Sequence, residues 1–243
     1  MSQEPSSARG LRARTLEGAV IVLSILLAFG LDALWEERRQ EREADLALAS
    51  LRSELEANLE ACDAVHQHHF RGVARFGEIL ELPDEAVLAM SDAEATEGYY
   101  AMCMPRTFDP ALGTTNTVVS SGTFNILRDP ELRSELDVFL NLTEDTREDV
   151  ANMLHYMRRI GEHEVSLGGP WGDPEQDWPG ASSPDTSFLG RISGAELLRL
   201  RSDATYVGLV KLYQSSAAWY GSELERLSGQ IRGLLAMLDA RQG

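Results

Sequence analysis

The sequence predicts an all-α fold: an N-terminal transmembrane helix continuing into an elongated antiparallel helical bundle. Three observations carry this. Apolar residues return at three- and four-residue steps over three long stretches, the period of a helix with one buried face. The punctuation between the stretches is helix punctuation, with Ser91 three residues before Glu94 and Asp129 directly before Pro130. No strand-period alternation of useful length and no internal repeat interrupts the pattern. Three long helices and some short ones are expected, packed as a bundle.

Composition fixes what such a body can be. The chain has 243 residues with 39 Asp+Glu against 22 Lys+Arg, a net charge of −17. That balance argues against nucleic acid or an anionic membrane surface as the main partner, since both require a basic footprint. Hydrophobic residues at 43% and charged residues at 25% exclude wholesale disorder and a polytopic membrane protein. The charge is uneven. Residues 1–17 hold Arg9, Arg12 and Arg14 against Glu4 and Glu17, a net of +1, so −18 lies beyond them.

The first element is the expected span. Gly18 to Leu31 reads GAVIVLSILLAFGL, uncharged and with Ser24 alone polar. Extended over residues 16–35 the segment is 20 residues long, about 30 Å of helix and one bilayer core. Gly18, Val20, Leu23, Leu27 and Leu31 are its apolar anchor positions, and Trp35 falls where an interfacial aromatic belongs. The arginines precede it and a net-acidic stretch follows, so the positive-inside rule puts residues 1–15 in the cytoplasm. Residues 36–243 are then the extracytoplasmic bundle. A cleaved signal peptide, with Ala28-Phe29-Gly30 as the cleavage site, is one rival reading; a helix buried in a soluble core is another. Against cleavage, the helical pattern continues past the span with no breaker. Asp32, one turn before Glu36, is close enough to the interface to snorkel out.

Beyond Trp35 the stripe Leu48, Leu51, Leu55, Leu59, Cys62, Val65, His69/Phe70, Val73, Phe76 and Leu80 predicts a helix to Leu82, where Pro83 stops it. Gly72 and Gly77 are candidate bends. Ser91 caps a short helix to about Cys103, before Pro105. Thr115 caps two turns ending at Gly122. Asp129-Pro130 opens a helix to about Val165 with the stripe Leu132, Leu136, Phe139, Thr143, Val150, Leu154, Met157 and Ile160. Residues 168–190, rich in Gly, Pro, Ser and Asp, form a long loop containing Trp171 and Trp178. The final stripe, Val210, Tyr213, Ala217, Tyr220, Leu224, Leu227, Ile231, Leu234 and Leu238, keeps strict 3,4 spacing. That is bundle or coiled-coil periodicity.

A resemblance enters on two of these stretches. The run from Ile25 to Arg39, followed by Glu41, Arg42, Leu48, Leu51, Glu54 and Leu55, resembles the start of a bacterial single-span membrane-anchored family of unknown function. Thr117 to Leu136 (TVVSSGTFNILRDPELRSEL) is similar to a second segment of that family. The resemblance covers about a quarter of the chain. It implies architecture and bacterial origin, and no activity.

Candidate chemistry is sparse. Cys62, His66 and His69 lie at i, i+4 and i+7 on one side of the first long helix, a spacing at which thiolate and imidazole can ligate zinc or copper. Met102-Cys103-Met104 adds soft donors elsewhere. The plainer reading makes Cys62, Val65 and His69 part of the core stripe and leaves His66 and His68 in solvent. The two cysteines allow a disulfide, Cys62–Cys103, or equally two free buried thiols. Trp171 and Trp178 either tack the long loop onto the bundle or roof a pocket between helices. No phosphate loop, dinucleotide fingerprint, paired-carboxylate signature or nucleophile elbow is present, so neither a catalytic residue nor a cofactor is expected.

The functional expectation is a non-catalytic interaction, assembly or sensory module. It sits in the bacterial inner membrane with its bulk outside the cytoplasm. Its expected partners are the lipid bilayer through residues 16–35 and a second copy or another helical protein. The alternative is a ligand- or metal-binding extracytoplasmic sensor.

Overall fold

The computed structural model describes residues 7–120, 130–168 and 191–241, with side chains from residue 23 onward. Among these residues the chain forms seven helices and no strand: α1 (Ser7–Glu81), α2 (Asp84–Leu88), α3 (Asp92–Cys103), α4 (Gly113–Ser120), α5 (Pro130–Ser166), α6 (Gly194–Ser202) and α7 (Ala204–Asp239). The expected loop around Trp171 and Trp178, the helix stop at Gly122 and the cap at Asp129 lie outside the described residues. So do the side chains of Gly18 and Val20.

α7 is the central helix. It packs on α1 and on α5, which make little contact with each other. Both neighbours run antiparallel to it. Asp63 of α1 pairs with Arg232 of α7, while Ile79, further along α1, meets Arg201 just before α7 begins. On the other side Glu135 accepts from Gln230, and His163 pairs with Asp203. Every residue of the expected 210–238 stripe is buried, from Val210 through Leu238. A helix with partners on two sides needs a wide apolar face, and this one adds Tyr206 one heptad before Tyr213.

α1 runs unbroken for 75 residues, about 110 Å at ~1.5 Å per residue. Gly72 does not bend it. A side chain there would collide with the Ala101 carbonyl, so this glycine lets α3 approach. The last turn of α1 is closed from α6: Arg201 donates to Ile79 O at 2.9 Å and Leu82 O at 2.5 Å, and pairs with Asp84. Carbonyls that the helix end would orphan are thereby satisfied by a cation, the sign favoured at a C-terminus.

The long helix has two unlike halves. Side chains 23–43 are all exposed, including Leu23, Ile25, Leu26, Leu27, Phe29, Leu31, Leu34 and Trp35. Burial starts near Ala47 and is complete at Leu51, Leu55 and Cys62. Among the described residues no helix is long and apolar enough to cross a membrane. The expected span over 16–35 is described with side chains only from Leu23, the second half of its apolar run.

The capping box at Ser91 forms, with Glu94 N donating to Ser91 Oγ at 3.3 Å and Ser91 N to Glu94 Oε2 at 2.9 Å. α4 differs from expectation. It begins at Gly113, and Thr115 sits inside it. The α5 stripe also shifts: Thr146 and Met153 are buried with Ile160 and Glu164, while Val150, Leu154 and Met157 are only partly so. α2 and α6 fall outside the expected elements, although α6 carries its own capping box at Ser193 and Glu196. Gly194, its first residue, lies against the Val87 carbonyl too closely for any side chain.

Candidate functional site

The most unusual chemistry lies inside the bundle. α5 carries Glu164 on its buried stripe, and this carboxylate is fully removed from solvent. α3 places Tyr99 opposite, and its hydroxyl donates to Glu164 Oε2 at 2.6 Å. Tyr206 of α7 turns toward the same carboxylate, without a bond of close geometry. One residue before Glu164, His163 Nε2 bonds Asp203 Oδ1 at 2.8 Å, and Asp203 in turn caps α7 by accepting from Tyr206 N at 2.7 Å. Three helices are thereby tied at one level by two adjacent residues of α5.

Burial decides the protonation of what surrounds Glu164. It pushes the Tyr99, Tyr206 and Tyr213 hydroxyls far above the usual phenol range. Tyr100 is pushed up to about 12, again chiefly by burial. Cys103 is driven well up by burial and then by the Glu164 charge, and its Sγ donates to Tyr99 O at 3.3 Å. All stay protonated at neutral pH, and of them Tyr99 donates to Glu164 while Cys103 donates to Tyr99 O. A buried carboxylate is tolerated only when such donors replace its water shell. The arrangement orders three helices around one acceptor.

A second polar cluster fixes the irregular segment between α3 and α4. His68 Nε2 donates to Met104 O at 3.0 Å and His69 Nε2 to Arg106 O at 2.8 Å. Phe108 N donates to Tyr220 Oη at 2.8 Å. Asn58 grips Ala111 twice, donating to its carbonyl at 2.7 Å and accepting from its N–H at 2.8 Å. Gln214 donates to Met102 O. Glu54 then receives Thr114 N at 2.6 Å, Thr115 N at 2.8 Å and Thr115 Oγ1 at 2.7 Å. A carboxylate from α1, and not Thr115, therefore caps α4, with the charge favoured at a helix N-terminus.

This second cluster accounts for the residues expected to bind metal. Cys62, His66 and His69 do not come together as a ligand set, and among the described residues no group of three His, Cys, Asp or Glu side chains is gathered for a metal. Cys62 Sγ donates to Leu224 O at 3.3 Å and accepts from Ser228 Oγ at 3.3 Å. His69 is buried against Tyr220 with ring centroids 5.4 Å apart, and burial holds its imidazole below the usual range. His66 lies over Phe70 instead. Of the two arrangements open to the cysteines, the structure shows two free buried thiols and no Cys62–Cys103 disulfide. Cys62 faces α7 through Leu224 and Ser228, while Cys103 turns along α3 onto Tyr99. Burial also raises the Cys62 thiol, which leaves it protonated and unreactive near neutral pH. The proposed pocket at Trp171 and Trp178 lies outside the described residues.

Sequence reading misses Glu54, Asn58 and Tyr206, and it places His163-Glu164 on a solvated face, which the full burial of Glu164 corrects. Glu164 falls one turn after Ile160, and Tyr206 one heptad before Tyr213. Extending each stripe by one step would have placed a carboxylate and a phenol in the core. An all-α bundle whose long N-terminal helix outruns its packing is the class these observations define. No family model, curated protein or solved structure matches the chain.

Proposed function

We propose that this chain is a single-pass bacterial membrane protein whose acidic helical body lies outside the cytoplasm. There it serves as a non-catalytic interaction, assembly or sensory module. One observation carries the reading. From Leu23 to Leu31 the helix is apolar on every face except at Ser24, its side chains are exposed among the described residues, and it continues without a break into the bundle. A helix apolar all round needs an apolar surrounding on all sides. Water is a poor solvent for it, at roughly 25 cal/mol for each Å² left exposed. A bilayer supplies that surrounding, and the arginines at 9, 12 and 14 orient it with the N-terminus inside.

The test is fractionation of the full-length protein after expression in a bacterium. Retention in the membrane pellet through alkaline carbonate, with the 36–243 body digested by protease added to the outer face of spheroplasts, is the expected result. Release by carbonate, or protection of the body from protease, overturns it. Sequencing the mature N-terminus separates a retained span from cleavage after Ala28-Phe29-Gly30.

A further inference from the structure

The 210–238 stripe, the natural seam for a second copy, is taken up inside the molecule, where α1 and α5 fill it. α7 carries another on its opposite face. Leu212, Ser215, Trp219, Ser222, Arg226 and Gly229 follow one another at alternating steps of three and four, and all are exposed. The same steps reach Ala240 through small residues alone. A helix with one buried face ordinarily sets charge opposite it, yet Arg226 is the single charge in this stripe. Trp219 is 68% exposed. Phe70 of α1, also exposed, stands at the same level, since its neighbour His69 packs on Tyr220, the neighbour of Trp219. Charge sets α7 apart as well. Lys211, Arg226 and Arg232 balance Glu223, Glu225 and Asp239, so this helix is neutral, whereas α5 holds four arginines against nine carboxylates.

We propose that this face of α7 pairs with the same face of a second copy, the two helices side by side and parallel. The parallel sense rests on the membrane reading above, since two copies held N-terminus inside by one bilayer point α7 the same way. In such a pair a seam residue of this kind enters a hole formed by four residues of the other helix: its counterpart, the residue before that, and the seam residues on either side. For Trp219 the hole is Ser215, Ala218, Trp219 and Ser222 of the second copy, three of them small, so two indoles fit without forcing the helices apart. For Arg226 it is Ser222, Glu225, Arg226 and Gly229 of the second copy, which sets a carboxylate beside the one charged knob. Arg226 can take it, because both its bonds to Glu223 of its own helix use Nη1 and its side chain is 62% exposed. Glu225 is exposed and enters no ion pair among the described residues. A neutral helix also avoids the repulsion that two copies at −17 each would meet on their acidic faces.

Full-length protein in bacterial membranes tests this with Ser222→Cys, because a disulfide needs Cα atoms within about 7 Å and the seam sets Ser222 against itself. Cys62 and Cys103 are buried and stay out of the reaction. On mild oxidation a disulfide-linked dimer is expected, formed faster than with Arg147→Cys, a collision control on the exposed face of α5. Adding Trp219→Ala slows the cross-link about tenfold. Adding Glu225→Arg or Arg226→Glu slows it about threefold, and the two together restore it. Equal rates at positions 222 and 147, or no recovery on exchanging the charges, overturns the pairing. Cross-linking of Ser222→Cys to Leu212→Cys of another copy, in place of itself, shows antiparallel helices and overturns it too. Carbonate extraction of the same membranes reads the anchor separately. Protein released by carbonate that still cross-links through position 222 overturns the membrane reading and upholds the pairing; protein retained without the cross-link overturns the pairing alone.

Discussion

The two halves of α1 belong to one helix and obey opposite rules. Residues 23–31 are apolar around the circumference except at Ser24 and are exposed throughout, whereas residues 47–81 confine their apolar side chains to one stripe and bury it against α3, α4 and α7. The difference teaches that helix formation and helix burial are separate decisions. Neither half contains a proline, so the backbone continues through both; the distribution of apolar groups around the axis decides what surrounds each. In the packed half, charge is pushed to the outside and answered locally, as by Arg52 with Glu56 at 2.9 Å.

The contrast is broken most directly by matched leucine truncations. Leu55→Ala, in the packed half, is expected to cost about 2–5 kcal/mol in denaturant unfolding of the detergent-solubilised protein, through lost transfer energy and a cavity. Leu27→Ala leaves the same transition within about 0.5 kcal/mol, because no bundle atom touches it. Equal effects would show that the lone half is part of the folded core.

Within the packed half, a second substitution separates apolar from polar cohesion. Tyr99→Phe removes a donor from buried Glu164 and is expected to cost about 1–3 kcal/mol. Adding Glu164→Leu recovers part of the loss, since an apolar pair leaves no unpaired acceptor. No recovery in the double variant would mean that Glu164 has a further task.

A smaller effect follows from His69, whose imidazole is held below the usual range by burial while it donates to Arg106 O. The unfolded chain takes up this proton first as pH falls. The stability held by His69 is therefore complete above about 6.5, its ordinary value, and lost as pH drops below it. Unfolding midpoints measured from pH 7.5 to 5 should decline, and His69→Gln should flatten that decline. Smallest of all is Arg147→Gln. Its partner Glu144 is 71% exposed, and a shift under about 0.5 kcal/mol is expected, again by denaturant unfolding.

The architecture was legible because each long helix repeats its signal many times. The 210–238 stripe is buried at every position, since α7 lies between two neighbours. α5 was read less well. Thr143 and Thr146 occupy its core, and a stripe drawn through Val150 and Leu154 drifts off the buried face. The polar clusters escaped for a different reason. Glu54, Asn58 and His69 do their work on backbone groups of residues 104–115, and nothing in the sequence marks a carbonyl about fifty positions away as a partner. Spacing can place Cys62, His66 and His69 on one side of a helix; it cannot show that α7 and the α3–α4 segment already occupy that side.

The central place of α7 has a consequence for biosynthesis. α1 and α5 are made first, yet neither offers the other much surface, and both wait for the helix that is translated after them. Until α7 has left the ribosome, the parts of the α1 and α5 stripes that face it are open to solvent, and the contacts that close them span as many as 187 residues of chain, from Arg52 to Asp239. A nascent chain of this kind depends on being held and shielded late into synthesis. A stop codon at residue 204 would remove the helix that joins everything made before it.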